Sequence, residues 1–285
     1  MHAAQQGSLA TTAPHRARPP GPLDQGTPVA WWGCSWQPAV PLSITELVAA
    51  RDLDARTAAV AWLVLAGHGS LLVAARASHA GKTTTLTALL DLVPTNVTRV
   101  QLRGGVGTFE FLDRSSPGET LLLANELSAD LPAYLWGENA VRAFSALRDG
   151  YALATTLHAD SATEAIARLR DELGAAPEDL ARIDGLLVIR DHRLVSLDRL
   201  RPAIRGPIAE PLVRDDPGTG GWIHDRAAEA GVVGLRYGWS ASAAEQAIAD
   251  RADRITDLIE RGVFATEDVK SALAPLNELH EGGPA

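Results

Sequence analysis

The spacing of apolar residues along this chain changes period several times, and each change predicts an element. Leu71 to Ala75 is a short unbroken apolar run, preceded by Gly67-His68-Gly69, as expected of a strand buried on both faces. From Lys82 to Leu92 the period becomes helical, with Leu86, Leu89 and Leu90 on one side. Arg99 to Leu102 and Thr108 to Leu112 read as short strands around the Gly104-Gly105 turn, and Glu119 to Asn125 (ETLLLAN) as a buried strand. Ala133 to Arg148 has Leu135, Val141, Phe144 and Leu147 at helical spacing; Tyr151 to Leu157 is again strand-like and Ala162 to Leu173 helical. Gly185 to Arg190 and Arg193 to Leu197 form a hairpin pattern turning at Asp191-His192. Strands alternating with helices predict an α/β fold with a largely parallel central sheet.

The flanks differ from this core. Residues 1–28 are rich in Ala, Gln, Pro, Gly and Thr without periodicity, which predicts a disordered tail. Residues 29–66 hold Trp31, Trp32 and Trp36 and then a helical lead-in. So much aromatic surface either straps onto the domain or docks a partner. Ser43-Ile44-Thr45-Glu46 has the capping serine and the glutamate three residues on of a helix start, and Asp54 caps a second helix running to Ala66. The core spans 67–200; residues 201–239 are Pro- and Gly-rich and read as irregular or antiparallel β structure, with a turn at Asp215-Asp216-Pro217-Gly218. Residues 240–285 form a C-terminal helical region, with amphipathic helices over 240–262 and 266–279.

Composition narrows the function classes. Apolar residues make up 46 % and charged ones 21 % of 285 residues, ordinary for a globular protein. The net charge of -9 argues against a nucleic-acid-coating role, which calls for a basic surplus. A single cysteine, Cys34, cannot form an internal disulfide, which fits a reduced, cytoplasmic setting. No window approaches the roughly 18 apolar residues of a membrane span, so no direct membrane insertion is expected. The basic residues of the first 28 are followed by no apolar run, so they do not read as a secretory signal.

The candidate chemistry lies between the first strand and its helix, where a small-residue loop ends in Ala80-Gly81-Lys82-Thr83-Thr84. Strand, loop, Gly-Lys-Thr and helix in that order is the layout of a phosphate-binding loop. The start of a helix offers unpartnered backbone N–H groups and the positive end of its dipole to an anion. Gly81 lets the backbone approach closely, Lys82 reaches phosphate oxygens as a point charge, and the Thr83 hydroxyl takes one position on Mg²⁺ held with ATP. Only two of the 26 basic residues are lysine, Lys82 and Lys270. The glycine that the full pattern places five residues before Gly81 is replaced by Arg76, so an ordinary strand, loop and helix is the competing reading. In a phosphate-loop protein the neighbouring strand should end in an acid that serves the metal or the attacking water; Leu121 to Glu126 ends in Glu126. A third strand end carries His158, placed to meet the γ-phosphate. Singly, the glutamate is as well explained by a structural role, and a strand-end histidine is more often structural than functional.

Taken together, Gly81-Lys82-Thr83-Thr84-Thr85-Leu86, then LLLANEL, then RDGYALATTLHADSATEAIARL resemble the ATPases of type II and type IV secretion and type IV pilus machines. Thr155, Thr156, Leu157, His158, Asp160, Ala162, Ala165, Ile166, Arg168 and Leu169 fit the family's His box in order, and the resemblance spans roughly residues 65–200. It implies a RecA-like P-loop fold, ATP and Mg²⁺ as cofactors, a homo-oligomer of hexamer type, and contacts with the inner-membrane platform of a secretion or pilus system. It also implies a motor role, with Glu126 orienting water and His158 sensing the γ-phosphate. The chain departs from the family at Arg76, His79 and Asn125, where glycines are expected, and at Leu102-Arg103-Gly104-Gly105, where the Asp-box acids are missing. Glu110 and Glu119 are the candidates to replace those acids, and Arg51 and Arg56 the candidates for an arginine offered to a neighbouring subunit. The departures support an alternative, a nucleotide-binding regulator or scaffold of the same fold that has lost hydrolysis.

Overall fold

The computed structural model describes residues 41–104, 109–132 and 134–278. The tail over 1–28, Cys34 and the three tryptophans Trp31, Trp32 and Trp36 lie outside the described residues. Two helices lead in, α1 (Ile44–Ala49) and α2 (Ala55–Ala66). Their caps are the ones expected: Ser43 and Glu46 close a reciprocal capping box, and the Asp54 carboxylate accepts from Thr57 N. The core follows as β1 (Ser70–Ala74), α3 (Lys82–Leu90), β2 (Thr98–Leu102), β3 (Thr120–Ala124), α4 (Gly137–Ala146), β4 (Ala152–Leu157), α5 (Ala162–Ala167), α6 (Pro177–Leu180), β5 (Ile183–Arg190) and β6 (Arg193–Arg201). The chain ends with β7 (Ile208–Asp216), β8 (Gly221–His224), α7 (Arg226–Tyr237), α8 (Ala241–Glu260), α9 (Thr266–Leu273) and α10 (Pro275–Glu278).

All eight strands form one sheet in the order β2-β3-β4-β1-β5-β6-β7-β8. The pairs from β2 through β5 are parallel and those from β5 through β8 antiparallel. Every residue of β1, β3 and β4 is buried, which is why these strands read as unbroken apolar runs and not as alternations. The period-2 geometry then splits each strand between two cores. Leu71, Val73, Leu121, Leu123 and Ala154 face the layer of α1, α2, α3, α7, α8 and α9, whereas Leu72, Ala74, Leu122, Ala124 and Leu153 face α4 and α5. The result is an α/β fold with a largely parallel central sheet covered on both sides, an arrangement consistent with a P-loop ATPase fold. No helix among the described residues is long and apolar enough to cross a membrane.

Several local expectations are corrected. Residues 109–112 do not form a strand: Glu110–Asp113 is a 3₁₀ turn that brings Phe109 and Phe111 into the same core, ring centroids 5.6 Å apart. The helix expected from 133 starts only at Gly137, because Leu135 is extended and bridged to Leu127, donating its N–H to Glu126 O at 2.9 Å. The 201–239 stretch does contain antiparallel β7 and β8, but also the twelve-residue helix α7. Gly231 and Gly234 argue locally against that helix; tertiary packing demands the second of them, since a Cβ on Gly234 would lie 2.9 Å from Trp239 O. Thr266 to Leu279 is broken at Pro275 into α9 and α10.

The lead-in and the C-terminal helices are one layer. Trp62 of α2 is fully buried there, its indole N–H donating to Asn277 Oδ1 at 2.9 Å, with the Arg251 guanidinium of α8 4.8 Å from the ring centroid.

Candidate nucleotide site

Parallel strands align their carboxyl ends on one edge, and in open α/β sheets ligands bind outside that edge. Three polar side chains arrive there from three strands. From β1 the chain passes through the loop of residues 75–81 into α3, and Gly81 makes the corner in the left-handed region (φ 98°, ψ 0°) that favours glycine. No side chain caps α3, and its first backbone bond runs from Thr85 N to Gly81 O at 2.9 Å. The N–H groups of Lys82, Thr83 and Thr84 therefore have no acceptor within the helix.

Lys82 is 6 % exposed. Its Nζ lies 3.6 Å from Glu126 Oε2 and 3.3 Å from each ring nitrogen of His158. Burial pushes the ammonium below its ordinary range, and the Glu126 carboxylate only partly offsets this. Glu126 Oε1 in turn lies 3.2 Å from His158 Nε2. The other ring nitrogen, Nδ1, is 2.8 Å from Arg76 O and donates to it, which orients the ring. Two bonds from Thr156 of β4 hold the segment of the acid: Leu127 N donates to Thr156 O at 2.8 Å, and the Thr156 hydroxyl donates to Asn125 O at 2.8 Å. The Arg168 guanidinium donates to His158 O.

The expectation that the acid would come from the strand next to β1 is corrected. β4 separates β1 from β3, so His158 stands beside the loop and Glu126 one strand further. Lys82 bridges the gap because its side chain is long enough to run across the end of β4. Ala80, Gly81, Thr83 and Thr84 line the same loop; Ala80 is buried and both threonines are half-buried.

The residues that depart from the expected pattern also have definite places. Arg76 points away from Lys82: its Nε donates to Asp160 Oδ2 at 3.0 Å and its Nη2 to Glu164 Oε1 at 2.8 Å on the exposed side of the β4–α5 connection. The loop arginine therefore does not pair with the acid that Lys82 meets. Asn125 carries a buried Oδ1 with no hydrogen-bond partner among the described residues, one position from Glu126. Glu119 precedes β3 and is exposed. It thus lies at the opposite edge of the sheet from Lys82 and cannot replace the missing acids. Glu110 is exposed in its 3₁₀ turn, and Glu126 is the acid paired with Lys82 among the described residues. Arg56 is not available to a neighbour, because Glu229 and Glu245 bind it at 2.7 and 2.6 Å. Arg51 donates to Gly220 O at 3.0 Å.

One neighbour of the loop was missed. His192, at the tip of the β5–β6 hairpin, donates its N–H to Ala80 O at 3.1 Å, and its Nδ1 lies 3.0 Å from where a Cβ on Gly81 would stand. The turn itself is legible in Asp191-His192, but nothing local to it says that the tip folds onto the loop.

A triphosphate with its divalent cation suits this donor set: helix N–H groups without an intrahelical acceptor, a desolvated ammonium with one anionic neighbour, and a threonine hydroxyl at the first turn. No protein-family model matches the chain, and no curated protein matches it. Among solved structures it is similar to the X-ray structure of the Legionella pneumophila ATPase DotB, with 14 % identity, 83 % of this chain and 66 % of that chain covered, and a TM-score of 0.37. The functional reading therefore rests on the geometry.

Proposed function

We propose that this chain binds Mg·ATP on the loop of Ala80 to Thr84 and hydrolyses it as a divergent motor ATPase of the secretion and pilus type. The observation that carries the reading is the meeting of Lys82, Glu126 and His158 within 3.6 Å of one another from three separate segments. In this reading the free N–H groups of α3 and the Lys82 ammonium grip phosphate oxygens, and Thr83 offers its hydroxyl to the cation. Mg²⁺, when bound, neutralises charge on the phosphate oxygens. Glu126 holds the attacking water by accepting its proton in a hydrogen bond, and His158, its Nδ1–H engaged by Arg76 O, turns Nε2 toward the terminal phosphate. Phosphoryl transfer asks chiefly for such positioning and charge compensation. The motor would work as a homo-oligomer, with the arginine for its neighbour's site coming from outside the Arg56 cluster.

A second reading has its own observation. The acids of the Asp box are missing and Glu119 lies at the wrong edge to replace them, as a nucleotide-binding regulator without turnover would allow. Mg·ATP binding and turnover, measured with oligomer mass for wild type, Lys82→Ala and Glu126→Gln, separate the two. Loss of binding in Lys82→Ala and loss of turnover alone in Glu126→Gln support the motor. Binding without turnover in wild type selects the regulator, and no binding in wild type removes both.

A further inference from the structure

Building on the nucleotide reading, we propose that His192 receives the nucleoside end of the bound nucleotide and thereby makes the site prefer nucleoside phosphates over bare polyphosphate. Sheet order sets the direction. Glu126 and His158, on the β3 and β4 side of β1, occupy the end where a terminal phosphate meets Lys82. β5 pairs with β1 on the opposite side and is parallel to it, so the β5–β6 turn comes up at the same carboxyl edge. A nucleotide with its last phosphate at Lys82 that crosses the loop away from Glu126 runs toward this turn.

The turn is built to hold a ring there. Asp191 and His192 both take positive φ, 49° and 67°, conformations that a two-residue hairpin demands but that glycine and asparagine adopt more readily than histidine. The His192 side chain is exposed, so core packing does not account for an imidazole at a position where asparagine would strain the backbone less. The tip is also anchored on two sides. His192 N donates to Ala80 O at 3.1 Å, and Leu194 N donates to Asp52 O at 2.7 Å in the α1–α2 connection. Its ring thus lies beside Gly81 and open to solvent, a surface on which a base can stack or a ribose hydroxyl can bond.

His192→Asn tests this, because asparagine tolerates the positive φ and keeps the backbone bond to Ala80. Affinities for Mg·ATP, Mg·ADP and Mg·tripolyphosphate are measured by displacement of a fluorescent ATP analogue, with thermal unfolding as the check on folding. The expected result is a loss of about tenfold for both nucleotides, the scale of one lost base–ring contact, and a tripolyphosphate affinity within about twofold of wild type. Unchanged nucleotide affinity overturns the proposal and leaves the nucleotide site standing. Equal losses for nucleotide and tripolyphosphate also overturn it, because His192 would then only prop the loop. A wild type that binds neither removes the nucleotide reading itself.

Discussion

Two of the charged clusters among the described residues are put together differently. In the helical layer, Glu229 of α7 is fully buried and its two oxygens are taken by His224 Nδ1 at 2.6 Å and Arg56 Nε at 2.7 Å. His224 Nε2 meets Asp54 Oδ2 at 2.8 Å, and Glu245 holds Arg56 with both oxygens. That cluster ties the start of α2 to β8, α7 and α8 through short, well-matched contacts, which is what burying charge requires. At the carboxyl edge of the sheet, Lys82, Glu126 and His158 stand 3.2 to 3.6 Å apart, and the residue before Glu126, Asn125, has an amide oxygen without a partner among the described residues. The first cluster is closed by short contacts among its own members; the second is held by longer ones, the contrast that the proposed nucleotide site would require.

The largest effect that would sharpen this contrast is Glu126→Gln, expected to lower ATP turnover about 1000-fold while changing unfolding free energy by about 1 kcal/mol or less, read by steady-state kinetics and urea titration. Glu229→Gln should do the reverse. Leaving Arg56 and His224 buried without their carboxylate costs about 3 kcal/mol, and equal destabilisation by the two substitutions would erase the distinction. Lys82→Ala is expected to weaken Mg·ATP binding about 100-fold, the loss of two charge-assisted bonds, measured calorimetrically; retained affinity would mean that the loop is not a phosphate cradle.

A smaller effect concerns pH. Burial opposes charge on His224, but its hydrogen bonds to Asp54 and Glu229 outweigh that and raise the imidazole from its ordinary 6.5 to about 9. Protonation is thus favoured by folding. The resulting stabilisation, about 3 kcal/mol, is complete below about pH 6.5, declines as pH rises, and is lost above about 9. Urea midpoints should fall over that window in wild type and less in His224→Gln. Smallest of all, Arg76→Ala removes exposed ion pairs to Asp160 and Glu164, and its melting temperature should match that of wild type within error.

How much of this was readable in the chain follows from the range of each interaction. Caps act over three residues, so Ser43 and Asp54 marked their helices correctly. The hairpin at Asp191-His192 and the apolar runs of β1, β3 and β4 are likewise local facts. The missed helix α7 shows the limit: its glycines weigh against a helix until Gly234 is seen to pass beside Trp239 O.

By itself, then, the sequence determined the alternation of strands and helices, the glycine corner before Lys82, and the polar residues at the ends of three strands. It did so because dihedral preferences, capping and hydrophobic period are properties of a few neighbouring residues. Only the tertiary structure decided that β4 lies between β1 and β3, that Arg56 is consumed inside the helical layer, and that His192 reaches the loop more than a hundred residues earlier. Strand order and cross-layer pairing depend on which arrangement buries both faces of the sheet at once, and no local segment carries that information.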